Sequence, residues 1–343
     1  MRRATIKDIA ERAGVSTAAV SKALNGKPDV SETTRARVWE AARALDYQPN
    51  SLARGLVSRR TGTVGLFFLD RDTRGFSHPF AAQVISGLLD TLTTRGYHCV
   101  LFSTPGNPHA TGEPASYLSL CRQWQVEGAA FMGLRLNDPA LRELARSELP
   151  VITIDVPLEG PRSTMVGVDN RRAQREAVAY VASLGHRRIA FVNGHLQAAV
   201  SLERLAGFRE GLADAGLTGP DEWTVASDFT EGGGYAATRA LLRRADRPTA
   251  ILYASDLMAL GGYRAAREAG LAIPRDLSIV GFDDIDQASR MDPPLTTVHQ
   301  ERYELGRSAA RALLEALDHG RSRAWVPVPW WLERRASCGP PAA

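Results

Sequence analysis

Thr17, Ala18 and Lys22 place a hydroxyl, a methyl and an ammonium on one outward stripe of a short helical segment. Small contacts of these types are what a helix needs to sink into a DNA major groove and meet base edges. The segment around them, TIKDIAERAGVSTAAVSKALN, reads as two helices joined by a tight turn. Thr5 is placed to cap the first helix, with Asp8 answering three residues on as in a capping box. Ile6, Ile9, Ala10 and Ala13 share its inner face, Gly14 ends it, Val15 plugs the turn, and Ser16 caps the second helix. Ala19, Val20, Ala23 and Leu24 then face inward, which turns Thr17, Ala18, Ser21 and Lys22 outward. Helical hairpins of this kind also occur as plain packing units, so the pattern needs support from the rest of the chain.

Charge supplies some of that support. Residues 1–60 hold twelve Lys and Arg against six Asp and Glu, a net +6, while the 343-residue chain is only +4, so the remainder carries −2. A basic head suits phosphate contacts and a mildly acidic body does not. The hydrophobic share of 44% and charged share of 23% are globular values, and the length allows two or three domains with full cores. Cys99, Cys121 and Cys338 are odd in number and lack CxxC spacing, which suggests neither a metal knuckle nor a disulfide framework but idle thiols in a reducing compartment. The first residues lack the apolar core of a signal peptide and no stretch has the length of a membrane span. A cytoplasmic protein with no membrane partner, no cofactor and no metal is expected.

Further along, Ser31 caps a third helix, ETTRARVWEAARAL, with Val38, Ala41, Ala42 and Leu45 as its buried stripe. Pro49 and Asn50 then start a short helix, SLARGLVS, whose only large apolar groups are Leu52 and Leu56. A helix this short is marginal alone in water. It is either a solvated tether or a segment that pairs with a second copy over a minor groove, where Leu56 can wedge between base steps. From Thr63 onward apolar runs alternate with helical periodicity in two series, VGLFFL through MVGVD and RRIAFVNG through LSIVGFD. Such alternation implies parallel sheets covered on both faces, in two doubly wound lobes with a ligand cleft at the carboxyl ends of their strands.

The order of these features resembles the lactose- and galactose-repressor family of bacterial transcription regulators. The head, TIKDIAERAGVSTAAVSKALNG and VSETTRARVWEAARALDYQPNSLARGL, is very close to the family pattern. In the body HPF, GHRRIAF, ERLAGF, RPTAIL, SDLMALGGYRAAREAGLAIP, LSIVGFDD and PPLTTVHQ match in order. The resemblance implies an N-terminal three-helix helix-turn-helix head with a hinge helix, followed by an α/β two-lobed effector domain like a periplasmic binding protein. It places Thr17, Ala18 and Lys22 at base-reading positions, Leu56 at the leucine wedge, and Ala53 beside it in the minor groove. Ser16, Ser21, Asn25 and Tyr47 would position the DNA backbone, and Thr5 and Asn50 are counted with the DNA-contacting set. Lys22 stands where relatives often carry Arg, so a bidentate guanine contact is replaced by a single ammonium donor.

The same resemblance puts Phe80, Arg204, Phe229 and Asp256 in contact with the effector. Arg204 and Asp256 suit the hydroxyls of a sugar, and Phe80 or Phe229 suits its face. Asp70 and Asp155, each at the end of an apolar run, are further candidates, with a solvated or capping carboxylate as the other reading. Ala198 and Val200 stand where the purine-binding branch has polar groups, which favours a sugar or sugar derivative over a purine. The expected domains are residues 1–48 for the head, 49–60 for the hinge helix and linker, and 61–343 for effector binding and dimerisation. Within the last, one lobe is expected at 61–168 plus about 275–303 and the other at 169–274 plus 304–343. The expected partners are pseudo-palindromic operator DNA, a small-molecule carbohydrate and a second copy of the chain. The C-terminal WLERRASCGPPAA has no leucine heptads, favouring a dimer over a tail-tethered tetramer.

Other readings remain: an intracellular sugar-binding protein without regulatory role, or a regulator with a non-sugar effector or a corepressor. An enzyme is disfavoured because GxGxxG, GxSxG, P-loop and HExxH patterns are missing. His78, His186, His195 and His299 read as structural or surface histidines.

Overall fold

The computed structural model describes residues 4–24, 27–47, 61–69, 78–103, 116–218 and 220–342. Asn25, Asn50, Ala53, Leu56 and Asp70, and with them the hinge helix, lie outside the described residues. The chain divides after Gly62 into two compact units.

The first unit holds α1 (Ile6–Ala13), α2 (Thr17–Leu24) and α3 (Glu32–Ala44). Ile9, Val20 and Val38, one from each helix, are fully buried and form its centre with Ala10, Ala13, Ala23, Ala41 and Ala42. Mostly alanine fills this core, so the three helices approach closely and the unit stays small. The Arg37 guanidinium donates 2.5 Å to the Ala13 carbonyl, tying α3 to the end of α1.

In the second unit two six-stranded sheets each carry helices. The first contains β1 (Thr63–Phe68), β2 (His98–Ser103), β3 (Ala129–Met132), β4 (Val151–Ile154), β5 (Ser163–Gly167) and, much later in the chain, β11 (Trp325–Pro327), in the order β11-β5-β4-β3-β1-β2. All its pairings are parallel. The apolar runs seen in the sequence are these strands: Val64, Leu66 and Phe68 pack on one face of β1, and Phe67 and Leu69 on the other. Phe67 stacks between Phe102 and Phe131 at 4.5 and 4.6 Å between ring centroids. The helices of this lobe are α4 (Pro79–Thr94), α5 (Tyr117–Gln123) and α6 (Leu141–Ala145).

The second sheet runs β12-β10-β9-β8-β6-β7, from β6 (Ile189–Asn193), β7 (Thr224–Ala226), β8 (Ala250–Tyr253), β9 (Ser278–Asp283), β10 (Thr296–Gln300) and β12 (Trp330–Glu333). Only β12 is antiparallel to its neighbour, β10. Its helices are α7 (Asn170–Ser183), α8 (Ala199–Asp214), α9 (Glu231–Leu242) and α10 (Asp256–Glu268).

This topology corrects the expected lobe boundaries. Residues 275–303 were expected in the first lobe, yet Ser278 pairs with Ala250 and Thr296 with Val280, so β9 and β10 extend the second sheet. Residues 304–343 were expected in the second lobe, yet α11 (Arg302–His319) packs along α4 and β11 joins β5 of the first sheet, and only the segment from β12 onward lies with the second sheet as expected. Gly87 and Gly306 make that helix contact possible: a Cβ at Gly306 would lie 1.9 Å from the Val84 carbonyl oxygen, and one at Gly87 2.0 Å from that of Tyr303. The chain therefore passes between lobes after β5, after β10, and between β11 and β12. Among the described residues no helix is long and apolar enough to cross a membrane.

Candidate functional sites

In the head, the turn between α1 and α2 follows from local chemistry. Thr5 and Asp8 form the full capping box: the Asp8 carboxylate accepts 2.7 Å from the Thr5 amide, and Thr5 Oγ1 accepts 3.4 Å from the Asp8 amide. Gly14 adopts φ +62° and closes α1 in the left-handed conformation that L side chains resist. Ser16 Oγ accepts 3.1 Å from the Ala19 amide at the start of α2. Val20 and Ala23 point into the core, which leaves Thr17, Ala18 and Lys22 exposed on the other side and Ser21 half-buried. Tyr47 is half-buried against the head core, its amide bonded to the Ala42 carbonyl at 2.9 Å. A partner for Lys22 was not foreseen: its Nζ sits 2.5 Å from the carboxylate of Asp29. That bond holds the Asp29 carboxyl below its usual range and biases where the ammonium points.

In the second unit a cavity opens at the carboxyl ends of both sheets. Its walls come from the ends of β1, β3 and β4 and the start of α4 on one side, and from the ends of β6, β7, β8 and β9 on the other. Phe80, Asp155, Arg204 and Phe229, four of the six expected effector residues, line it together. Three lining residues without a glycine's freedom, Asp155 (φ +58°), Phe229 (φ +62°) and Asp283 (φ +114°), hold left-handed backbone. Such strain persists only where surrounding packing imposes it, and it gathers at binding sites.

Arg204 is the electrostatic centre. Its Nε donates 2.8 Å to Asn170 Oδ1, its Nη1 donates 2.5 Å to the Ala254 carbonyl, and its Cζ lies 3.6 Å from the centroid of the Phe282 ring. Burial works against its charge, and the carboxylates of Asp283, Asp155 and Asp256 support it. Those carboxylates carry the opposite strain. Burial pushes Asp155 up to about 6, only partly offset by Arg204, the Val168 backbone and the Asn170 side chain. Burial likewise pushes Asp283 up to about 7, against Arg204, Arg302 and a 2.8 Å hydrogen bond from Gln300.

Asp256 requires a correction. It was expected to touch the effector, but it does not line the cavity. Its side chain is fully enclosed, with Oδ1 accepting 2.6 Å from Thr297 Oγ1 and Oδ2 accepting 2.9 Å from the Ile285 amide. Both oxygens are spent tying α10 to β10 and to the loop after β9, and burial beside Asp283 drives its pKa well up. It acts as a strut behind the wall that carries Asp283.

Three lining residues were not expected at the cavity: His78 and His195 were read as structural or surface histidines, and Asp228 was not named. His78 and His195 stand on opposite walls, each edge-on to an expected aromatic: His78 to Phe80 at 6.4 Å and His195 to Phe229 at 5.5 Å. Asp228 lines the cavity while its Oδ1 accepts 3.0 Å from the Thr230 amide at the head of α9. All three lie within a few residues of a strand end or helix start, the signal that could have found them. His186 is structural as expected, bonded to Thr249, Ser278 and the Gly339 carbonyl, and His299 pairs with Asp284 at 2.7 Å. Ala198 and Val200 both line the cavity and present no side-chain hydrogen-bonding group.

Comparison with known proteins agrees with both units of the fold. Residues 5–50 match the family described as bacterial regulatory proteins, lacI family, and residues 178–338 match the periplasmic binding protein-like domain. The HTH-type transcriptional repressor PurR of Erwinia tasmaniensis is 35% identical over 338 residues, which cover 97% of this chain and 96% of that protein. A complex of the transcriptional regulator CelR with cellobiose is 32% identical with a TM-score of 0.71, and covers 98% of this chain and 100% of that one. The lac repressor dimer bound to operator and the anti-inducer ONPF is 26% identical with a TM-score of 0.83, at the same coverage of 98% and 100%. With a helix-turn-helix head and a two-sheet body matched along nearly its whole length, this chain belongs to the lacI family of bacterial regulatory proteins and is a DNA-binding transcriptional regulator rather than an enzyme.

Proposed function

We propose that this regulator is a cytoplasmic homodimeric repressor that holds a pseudo-palindromic operator and releases it when a carbohydrate occupies the cavity between its lobes. The observation that carries the carbohydrate reading is the composition of the wall. Phe80 and Phe229 offer aromatic faces, and Asp155, Asp283 and Arg204 offer hydrogen-bonding groups at strand ends. A sugar needs both, an apolar face for its ring CH groups and fixed polar groups for its hydroxyls. A purine needs polar partners in its ring plane, and Ala198 and Val200 supply none on their side. Two similar proteins support the reading, the CelR regulator in complex with cellobiose and the lac repressor dimer bound to operator.

In the head, Thr17, Ala18 and Lys22 read bases, while Ser16, Ser21, Asn25 and Tyr47 set register on the backbone. Thr5 and Asn50 stand with this set, and Ala53 and Leu56 serve the minor groove. Coupling works through two states, with the ligand favouring one lobe arrangement and the operator the other. A typical coupling of about 1–3 kcal/mol shifts operator affinity roughly five- to 150-fold.

The test selects an operator from random duplex DNA and measures its affinity with and without glucose, cellobiose, ribose, hypoxanthine and guanine. A sugar that raises the melting temperature and weakens operator binding is the expected result. Purines that stabilise the protein while no sugar does would remove the carbohydrate reading.

A further inference from the structure

The cavity that we read as the carbohydrate site also carries a charge pattern that restricts which carbohydrate it takes. Three carboxylates line it, Asp155, Asp228 and Asp283, and a fourth, Asp256, stands directly behind. Against them stands the enclosed Arg204, whose Nε and Nη1 are already given to Asn170 and Ala254 and whose charge is spent on Asp283, Asp155 and Asp256. The other lining cation, Arg135, has an interaction of its own.

Helix ends alter this balance only in part. Two helices begin at the wall without a side-chain cap, α4 behind His78 and α8 behind Ala198, and their free amides can donate to a ligand oxygen. Each helix end contributes roughly half a positive charge. The other two starts are closed by the protein itself: Ser255 caps α10, and Thr230, held by Asp228, caps α9. The two open helix ends and two guanidiniums are thus set against Asp228, Asp155 and Asp283, the last two raised to about 6 and about 7, while burial drives Asp256 toward its neutral form, and the fixed charges come close to cancelling. What remains for a ligand is a set of neutral amide donors and carboxylate acceptors, which hydroxyls satisfy in both directions. A phosphate group would bring about two further negative charges at pH 7 with no unspent cation to meet them.

We infer that this cavity takes an uncharged, unphosphorylated carbohydrate and rejects sugar phosphates, with Asp155 and Asp283 as the residues that set the rejection. Rejection by these two residues has a directional consequence. At pH 8, where both are ionised, replacing either carboxylate by its amide keeps the shape and deletes one repelling charge, so it raises affinity for the phosphorylated partner relative to the neutral one.

The inference rests on the carbohydrate reading above, and the experiment separates the two. Calorimetry on the full chain at pH 8 compares glucose with glucose 6-phosphate, ribose with ribose 5-phosphate, and cellobiose with its 6′-phosphate. The expected result is binding of at least one neutral sugar and at least tenfold weaker binding of its phosphate ester. In Asp155→Asn and Asp283→Asn that ratio falls several-fold. A phosphate ester that binds the unaltered protein as tightly as its neutral parent overturns the inference while leaving the carbohydrate reading intact, and needs no variant to fold. A ratio unchanged in both variants overturns the role given to the two carboxylates. Binding of neither class overturns the carbohydrate reading and this inference with it.

Discussion

Replacing Arg204 by Met tests whether one buried cation holds the cavity together. The substitution keeps an unbranched apolar stem over the Phe282 ring and removes the guanidinium. Two hydrogen bonds from a charged group are lost, to Asn170 Oδ1 and to the Ala254 carbonyl, each worth about 1.5–3 kcal/mol. Removing one member of a buried ionic group typically costs about 3–5 kcal/mol, because the partners remain buried without their counter-charge. The two estimates agree, so the expected loss at pH 8 is about 3–5 kcal/mol.

The loss must also depend on pH, and its sign is fixed. With Arg204 present, Asp155 is at about 6 and Asp283 at about 7, both above the ordinary 3.8. The folded chain therefore holds more protons than the unfolded chain across that window, and these two groups lower stability as pH rises from about 4 to about 7. Without the guanidinium both values climb, and the window reaches higher. The deficit of the variant is therefore largest at pH 8 and shrinks toward pH 5, where the carboxyls are neutral in the folded state. Urea unfolding of the full chain followed by tryptophan fluorescence reads this directly, since Trp124, Trp223, Trp325, Trp330 and Trp331 lie in the body and only Trp39 lies in the head. An equal deficit at pH 5 and pH 8, or one below about 1 kcal/mol at pH 8, would refute the placement of Arg204 among the three carboxylates.

Gly194→Ala would set a methyl 2.0 Å from two carbons of the Phe229 ring, so the ring must leave its place on the wall. A stability loss of about 1–3 kcal/mol with loss of the sugar-induced thermal shift is expected, and retention of that shift would mean the ring does not serve the ligand. Thr5→Ala removes the cap of α1 and should cost about 1 kcal/mol, seen as faster amide exchange in α1 with the body unchanged; protection equal to the parent's would show that the capping box contributes nothing.

The head was readable because its signals are local. Thr5, Gly14, Ser16 and Ser31 each act on a backbone group within a few residues, so their types and spacing mark the helix ends without knowledge of the tertiary fold. The strands were readable for a similar reason, as apolar runs such as VGLFF and IAFVN suit a sheet buried on both faces. Sheet membership was not. Nothing in SIVGFD or TTVHQ distinguishes the first lobe from the second, because that choice is made by hydrogen bonds to β8 and by the close contact of Gly87 and Gly306.

The site shows the same divide. Phe80, Asp155, Arg204 and Phe229 were expected at the cavity and line it, but Asp256 was expected there too and stands behind the wall, while Asp283, for which no role was expected, lines it. Both are acidic residues at the edge of an apolar run. Which one faces the ligand depends on Thr297 and the Ile285 amide taking both oxygens of Asp256, two contacts made across more than twenty residues of chain.

The three passages of the chain between the lobes restrict how the lobes can move. Each added passage removes a way for the lobes to turn against each other, so three narrow the displacements that occupancy can produce more than one or two would. The first passage enters α7 at Asn170, whose side chain accepts the Arg204 Nε–H and donates to the Val168 carbonyl. A ligand that draws on Arg204 therefore acts one hydrogen bond away from the segment that joins the lobes.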